Sequence, residues 1–157
     1  MFNKLIASDT SKTTLIIRIM VGAVFLSEGI QKFIYPAVRS VGRFDKIGFA
    51  HPEFWGYFVG VFEIVCGAAI LIGFLTRAAA LAMLVNMSVA ILITKIPILF
   101  GHGILGFNVK HFDFYNFWSF AHEIRTDYAM WLGSLFLLIK GGGKWSFDNL
   151  FFTKRKR

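Results

Sequence analysis

The chain has 157 residues, 56% of them hydrophobic, with 19 Phe and only 17% charged. A soluble domain carries about 25% charged residues, so an ordinary water-surrounded globule is excluded, and the apolar content excludes disorder. The net charge of +8 would suit nucleic acid, but no zinc-finger, helix-turn-helix or RNA-reading pattern accompanies it, so nucleic acid is set aside as a partner.

The first apolar run extends from about Leu15 to Ile34 and is interrupted by Arg18 and Glu28. The second runs from about Phe54 to Leu75 with Glu63 as its single charge. A third starts after Arg77 and reaches about Thr94, where Lys95 and Pro97 close it. The fourth is clearest from Tyr128 to Ile139; reaching the required length means extending it back to about Ser119, which draws in Glu123, Arg125 and Asp127. About 20 residues are needed to cross the hydrocarbon, and open backbone cannot be satisfied there, so these runs are read as helices over 15–34, 54–75, 78–94 and 119–139. The fold expected is all-α: a single domain over 1–157, a polytopic membrane four-helix bundle. Between the last two spans, residues 96–118 are too aromatic for a wet loop and too rich in Gly for a regular helix. They read as an aromatic cap at the membrane interface or as a re-entrant segment.

An even helix count puts both termini on one side. That side carries nine basic residues against six on the other, including Lys4 and the run Lys154-Arg155-Lys156-Arg157, which anionic headgroups would attract. The imbalance favours cytoplasmic termini in an inner (plasma) membrane. No small-residue cleavage site follows a short apolar region, so the first helix is expected to stay as an anchor.

Glu63 is the most informative position. Gly56, Gly60, Glu63 and Gly67 fall within roughly 60° of one another on a helix, so small residues allow close helix approach beside a carboxylate that cannot face lipid. Such a carboxylate either handles protons or a ligand, or is a paired packing residue. Arg18, Gly22, Phe25 and Gly29 share a face of the first helix, with Glu28 about 80° away. Arg18 either snorkels to the terminal side or turns inward to neutralise Glu63 or a carboxylate of the fourth helix; Glu28 and Lys32 have the spacing of a local i,i+4 pair. Asn86 can hydrogen-bond between helices or to a quinone headgroup. Glu123 and Asp127 share a side from which Arg125 faces away, so Arg125 needs a partner on another helix if immersed, or water if interfacial. The histidines show no ligand spacing, no metal site is read, and Cys66 reads as a small buried residue.

The segments Phe25-Leu26-Ser27-Glu28-Gly29-Ile30-Gln31-Lys32-Phe33, Glu63-Ile64-Val65-Cys66-Gly67, Gly73-Phe74-Leu75-Thr76-Arg77 and Gly143-Lys144-Trp145-Ser146-Phe147-Asp148 occur in an order that resembles the bacterial DoxX family. The resemblance implies a four-helix membrane fold, with Arg18, Glu28, Glu63 and Arg77 as polar landmarks. It also implies a link to thiosulfate:quinone oxidoreduction or to oxidant-defence assemblies. The cluster Glu123-Arg125-Asp127 is richer than the family's last span. The expectation is therefore a redox-associated inner-membrane protein that binds quinone or supports a partner oxidoreductase. Glu63 would act as the proton-handling group, and Arg18, Glu28, Asn86, Glu123, Arg125 and Asp127 would bind ligand or compensate charge. No cofactor is secure beyond a quinone. The alternatives are a non-enzymatic scaffold or assembly factor, its glycine-lined face turned to another protein, and a transporter subunit working as a homo-oligomer in contact with membrane lipids.

Overall fold

In a computed structural model, which describes residues 11–153, the chain is helical and no strand occurs among those residues. Lys4 and the basic run 154–157 lie outside them. The helices are α1 (Thr14–Ile34), the short α2 (Pro36–Arg39) and α3 (Val41–Ile47), α4 (Pro52–Ile72), α5 (Thr76–Ala90), α6 (Ile96–Phe100) and α7 (Phe117–Lys140). Among the described residues, three stretches are long and apolar enough to cross a membrane: Thr14–Ile34, Pro52–Ile72 and Thr76–Phe100. The helix α7 is long enough at about 36 Å, but its first half is more polar.

The third stretch corrects the expectation that Lys95 and Pro97 end the helix near Thr94. The chain passes from α5 through a π-helical turn, Ile91–Lys95, directly into α6. Pro97 has no N–H to give and crowds the preceding turn; the wider turn accommodates it, and Pro97 falls in the first turn of α6, where its N–H would be spare.

The helices pack as two pairs, α1 on α4 and α5 on α7, joined by α4–α5 and α1–α7 contacts. The buried positions of α1 (Arg18, Val21, Gly22, Phe25, Gly29, Lys32) and of α4 (Gly56, Gly60, Glu63, Gly67, Ile70) trace one face of each helix. Backbones touch where these faces meet. A Cβ on Gly67 would lie 2.6 Å from the Leu26 N and 3.0 Å from the Gly22 O, and one on Gly29 would lie 2.8 Å from the Gly60 O. The glycine-lined face is therefore covered by α1 of the same chain rather than offered to another protein. Around this seam the core is Val21, Phe25, Ile70, Ala80, Met83 and Leu137. The Trp131 indole N–H adds a hydrogen bond to the Ser88 hydroxyl (2.9 Å), tying α7 to α5.

Residues 101–116 cap one end of the bundle. The Asn108 N–H and side-chain amide donate to the Ile47 and Lys46 carbonyls (2.7 and 3.2 Å), and Phe107 stacks on Phe49 at 4.7 Å. These contacts fix α3 against the cap.

Candidate functional site

The buried face of α1 advances by four, three, four and three residues from Arg18 through Gly22, Phe25 and Gly29 to Lys32. Lys32 is thereby carried into the helix seam, where a Cβ on Gly60 would sit 3.2 Å from its own Cβ. Its ammonium donates to Glu63 Oε2 at 2.5 Å, and the two side chains are 6% and 5% exposed. From α5, the Asn86 amide donates to Glu63 Oε1 at 3.3 Å. Both carboxylate oxygens are thus engaged, one by an opposite charge and one by a neutral donor, as a carboxylate in a low-dielectric interior requires. Lys32 does not pair locally with Glu28. A surface i,i+4 pair is worth about 0.2–0.5 kcal/mol, whereas leaving Glu63 alone in the interior costs several, so the ammonium goes across the seam.

Beside this triad lies a cavity of about 790 Å³. It falls in the about 300–1,000 Å³ range of small-molecule sites, and its walls are mostly apolar. Phe25 and Val24 of α1, Phe58 and Phe62 of α4, and Met87 and Val89 of α5 contribute to them. Glu28, Lys32, Glu63 and Asn86 are its deep polar groups. At the other end the lining includes Arg39, Arg43, Lys95, Glu123 and Asp127.

Lys95 belongs to the π-helical turn, as do its lining neighbours Ile93 and Thr94. Its ammonium lies 3.5 Å from Glu123 Oε2 and 3.1 Å from Asp127 Oδ2. The i,i+4 spacing of the two carboxylates on α7 lets one cation reach both. Lys110, from the cap, lies 3.4 Å from Glu123 Oε1. Arg125 therefore compensates neither Glu63 nor its neighbours. It is exposed and its guanidinium contacts the His122 ring at 2.7 Å. Facing away from Glu123 and Asp127, as its place on the helix predicts, it finds solvent or headgroups, while Lys95 pairs with those two carboxylates and Lys32 with Glu63.

Arg18 corrects a second expectation. It turns inward but reaches no carboxylate directly: its guanidinium donates to the carbonyls of Ile70 (2.9 Å), Leu71 (2.5 Å), Gly142 (3.1 Å) and Trp145 (2.5 Å). Two of these carbonyls belong to the last turn of α4, whose terminal C=O groups have no helical partner, and a guanidinium fork suits several acceptors at once. Gly73 makes room for it: with φ +74, a Cβ there would meet Arg18 Cζ at 2.7 Å. Asp148, which sequence reasoning quoted only as part of a motif, is 1% exposed and caps α5. Its carboxylate accepts from the Leu75 N–H (2.7 Å), the Thr76 N–H (2.9 Å) and the Thr76 hydroxyl (2.8 Å), joining the segment after α7 to the α4–α5 turn. The only sequence signal for it was an acidic residue following a Gly-rich turn. Arg18 and Asp148 thus brace the end of the bundle nearer the termini and stand apart from the cavity. Arg77 donates to the Ile139 carbonyl at 2.8 Å in the same region.

Comparison with known proteins identifies a family and a membrane-protein relative. The family model DoxX matches residues 13–96, which contain α1 through the π-helical turn. A curated relative from Mycobacterium tuberculosis, described as an uncharacterized membrane protein, is 45% identical over 145 residues, covering 92% of this chain and 85% of its own. No solved structure matches the chain.

Proposed function

The chain belongs to the DoxX family of membrane proteins, and from that premise we propose that it is a redox-associated protein of the bacterial inner membrane that binds a quinone. The observation that carries this reading is the triad Lys32–Glu63–Asn86 facing an apolar-walled cavity of about 790 Å³. A quinone needs hydrogen-bond donors for its carbonyls and apolar surface for its tail; Lys32 and Asn86 are donors, and the aromatic wall of α4 is the surface. Bound there, a quinone would supply two-electron redox chemistry with accompanying protons. Glu63, held between an ammonium and an amide, is the group that exchanges a proton with such a ligand, and Lys32 balances its charge while it is ionised. The helices carry no electron donor of their own in this reading, so a partner oxidoreductase delivers or removes electrons. Both termini face the cytoplasm, where the basic residues flanking the spans belong by the positive-inside rule, and α7 completes a fourth crossing.

The test is retention. Full-length protein extracted with native lipids should carry quinone detectable by mass spectrometry, and Glu63→Gln and Asn86→Ala should each lower it about tenfold, the loss of one hydrogen bond to a buried group. Folded wild-type protein with no quinone, and no change on adding a short-chain analogue, would contradict the proposal.

A further inference from the structure

The charges lining the cavity do not all pair. Lys32 neutralises Glu63. Lys95 and Lys110 together neutralise Glu123 and Asp127. Glu28 lies about 9 Å of helix rise before the end of α1, at the deep level where it acts electrostatically on Glu63. Arg39 and Arg43 remain. They lie beyond the end of α1, four residues apart on the consecutive short helices α2 and α3, and both line the cavity. No ion pair or side-chain hydrogen bond engages either among the described residues. Asp45 and Glu53, the nearest acids in sequence, are exposed and outside the cavity lining.

The short helix α3, which carries Arg43, is held in place. Asn108 binds the end of α3, and Phe44 and Phe49 pack at 4.9 Å, with Trp55 of α4 next to Phe49 at 6.1 Å. Phe44, Phe49 and Trp55 also line the cavity, so two arginines without an acidic partner share it with an aromatic wall. A neutral quinone has no use for two unpaired cations. We propose that Arg39 and Arg43 bind a phosphate group at the cavity mouth. Guanidinium forks match its oxygens bidentately, and the apolar wall beneath favours a phosphate that carries an acyl chain, as an anionic phospholipid does. The site stands independently of the quinone reading, because it uses different residues and a different ligand charge.

The experiment uses the full chain in nanodiscs containing phosphatidylglycerol and phosphatidylcholine, with retained lipid counted by native mass spectrometry. A parallel arm measures thermal unfolding in detergent with and without inorganic phosphate. Wild type should retain phosphatidylglycerol preferentially, and Arg39→Gln and Arg43→Gln should each lower that preference about tenfold. Lys46→Gln, an exposed cation of α3 outside the lining, should leave it unchanged. Should Arg43→Gln fold poorly, Arg39→Gln alone decides, since Arg39 is exposed. Preferential lipid retention lost with the arginines identifies a lipid headgroup. A thermal shift by inorganic phosphate, lost with the arginines and without lipid preference, identifies a free anion. The proposal is overturned if neither arm separates wild type from the arginine variants, or if Lys46→Gln behaves as they do. Quinone content of the same samples separates the two readings: arginine variants should keep it, and Glu63→Gln should lose it while keeping the lipid.

Discussion

Replacing Lys32 with Met keeps the length and apolar stem of the side chain and deletes only the ammonium that stands 2.5 Å from Glu63. Glu63 is then left with the neutral Asn86 amide at 3.3 Å, in a place where its side chain is 5% exposed. Water screening is slight there, so the surface salt-bridge discount does not apply. Removing one member of a buried pair costs about 3–5 kcal/mol, which is roughly 160- to 4,700-fold in the unfolding equilibrium. Glu63→Leu should cost a similar amount by stranding the ammonium. The double variant Lys32→Met/Glu63→Leu removes both charges and should return to within about 1 kcal/mol of wild type, because the penalty belongs to the unpaired charge and not to the loss of attraction. Unfolding of the purified chain in mixed micelles, titrated with sodium dodecyl sulfate and followed by circular dichroism, reads all three. Single variants within about 0.5 kcal/mol of wild type, or a double variant as unstable as the sum of the singles, would refute the assignment of Lys32 and Glu63 as a buried pair.

Three further outcomes follow from the packing. Arg18→Lys should lower stability by about 2–4 kcal/mol in the same titration, because one ammonium cannot serve four carbonyls spread over two segments. Asp148→Ala strips the cap from α5; it should cost about 1–2 kcal/mol and speed tryptic cleavage at Lys144, read by limited proteolysis. Gly67→Ala places a methyl 2.6 Å from the Leu26 N and should cost about 1–3 kcal/mol, whereas Ala at the exposed Ala129 position replaced by Ser should change stability by less than about 0.5 kcal/mol.

The all-helical membrane fold was legible because long apolar runs leave lipid-embedded backbone few alternatives. The close α1–α4 seam was legible in part, since glycines at four- and three-residue spacing around Glu63 mark a face that admits a neighbouring backbone. Glu63 and Asn86 stand out on separate grounds, each a polar group in an apolar helix, and the fold brings them 3.3 Å apart. Their cation was harder to find. Lys32 has an acidic neighbour one turn away, so the local pairing with Glu28 looks sufficient until the depth of Gly29 and Gly60 is known. Arg18 was misleading for the opposite reason: a buried guanidinium suggests a carboxylate, but backbone carbonyls at a helix end also satisfy it. The π-helical turn leaves little trace in sequence beyond Pro97, so the reach of Lys95 to Glu123 and Asp127 could not be read. Arg39 and Arg43 entered the sequence reading only in the count of basic residues on one side, because the fold that carries them to the cavity depends on long-range contacts such as those of Asn108 with the end of α3.

The central claim is that the Lys32–Glu63–Asn86 cavity receives a quinone, and photolabelling tests it most directly. A short-chain photoreactive quinone, irradiated with the full-length chain in nanodiscs and mapped by mass spectrometry, should label the buried lining residues Phe25, Met87 and Ile93, and excess unlabelled quinone should abolish that labelling. Label confined to outward-facing residues such as Ile19, Val61 and Val65, unaffected by competitor, would contradict it.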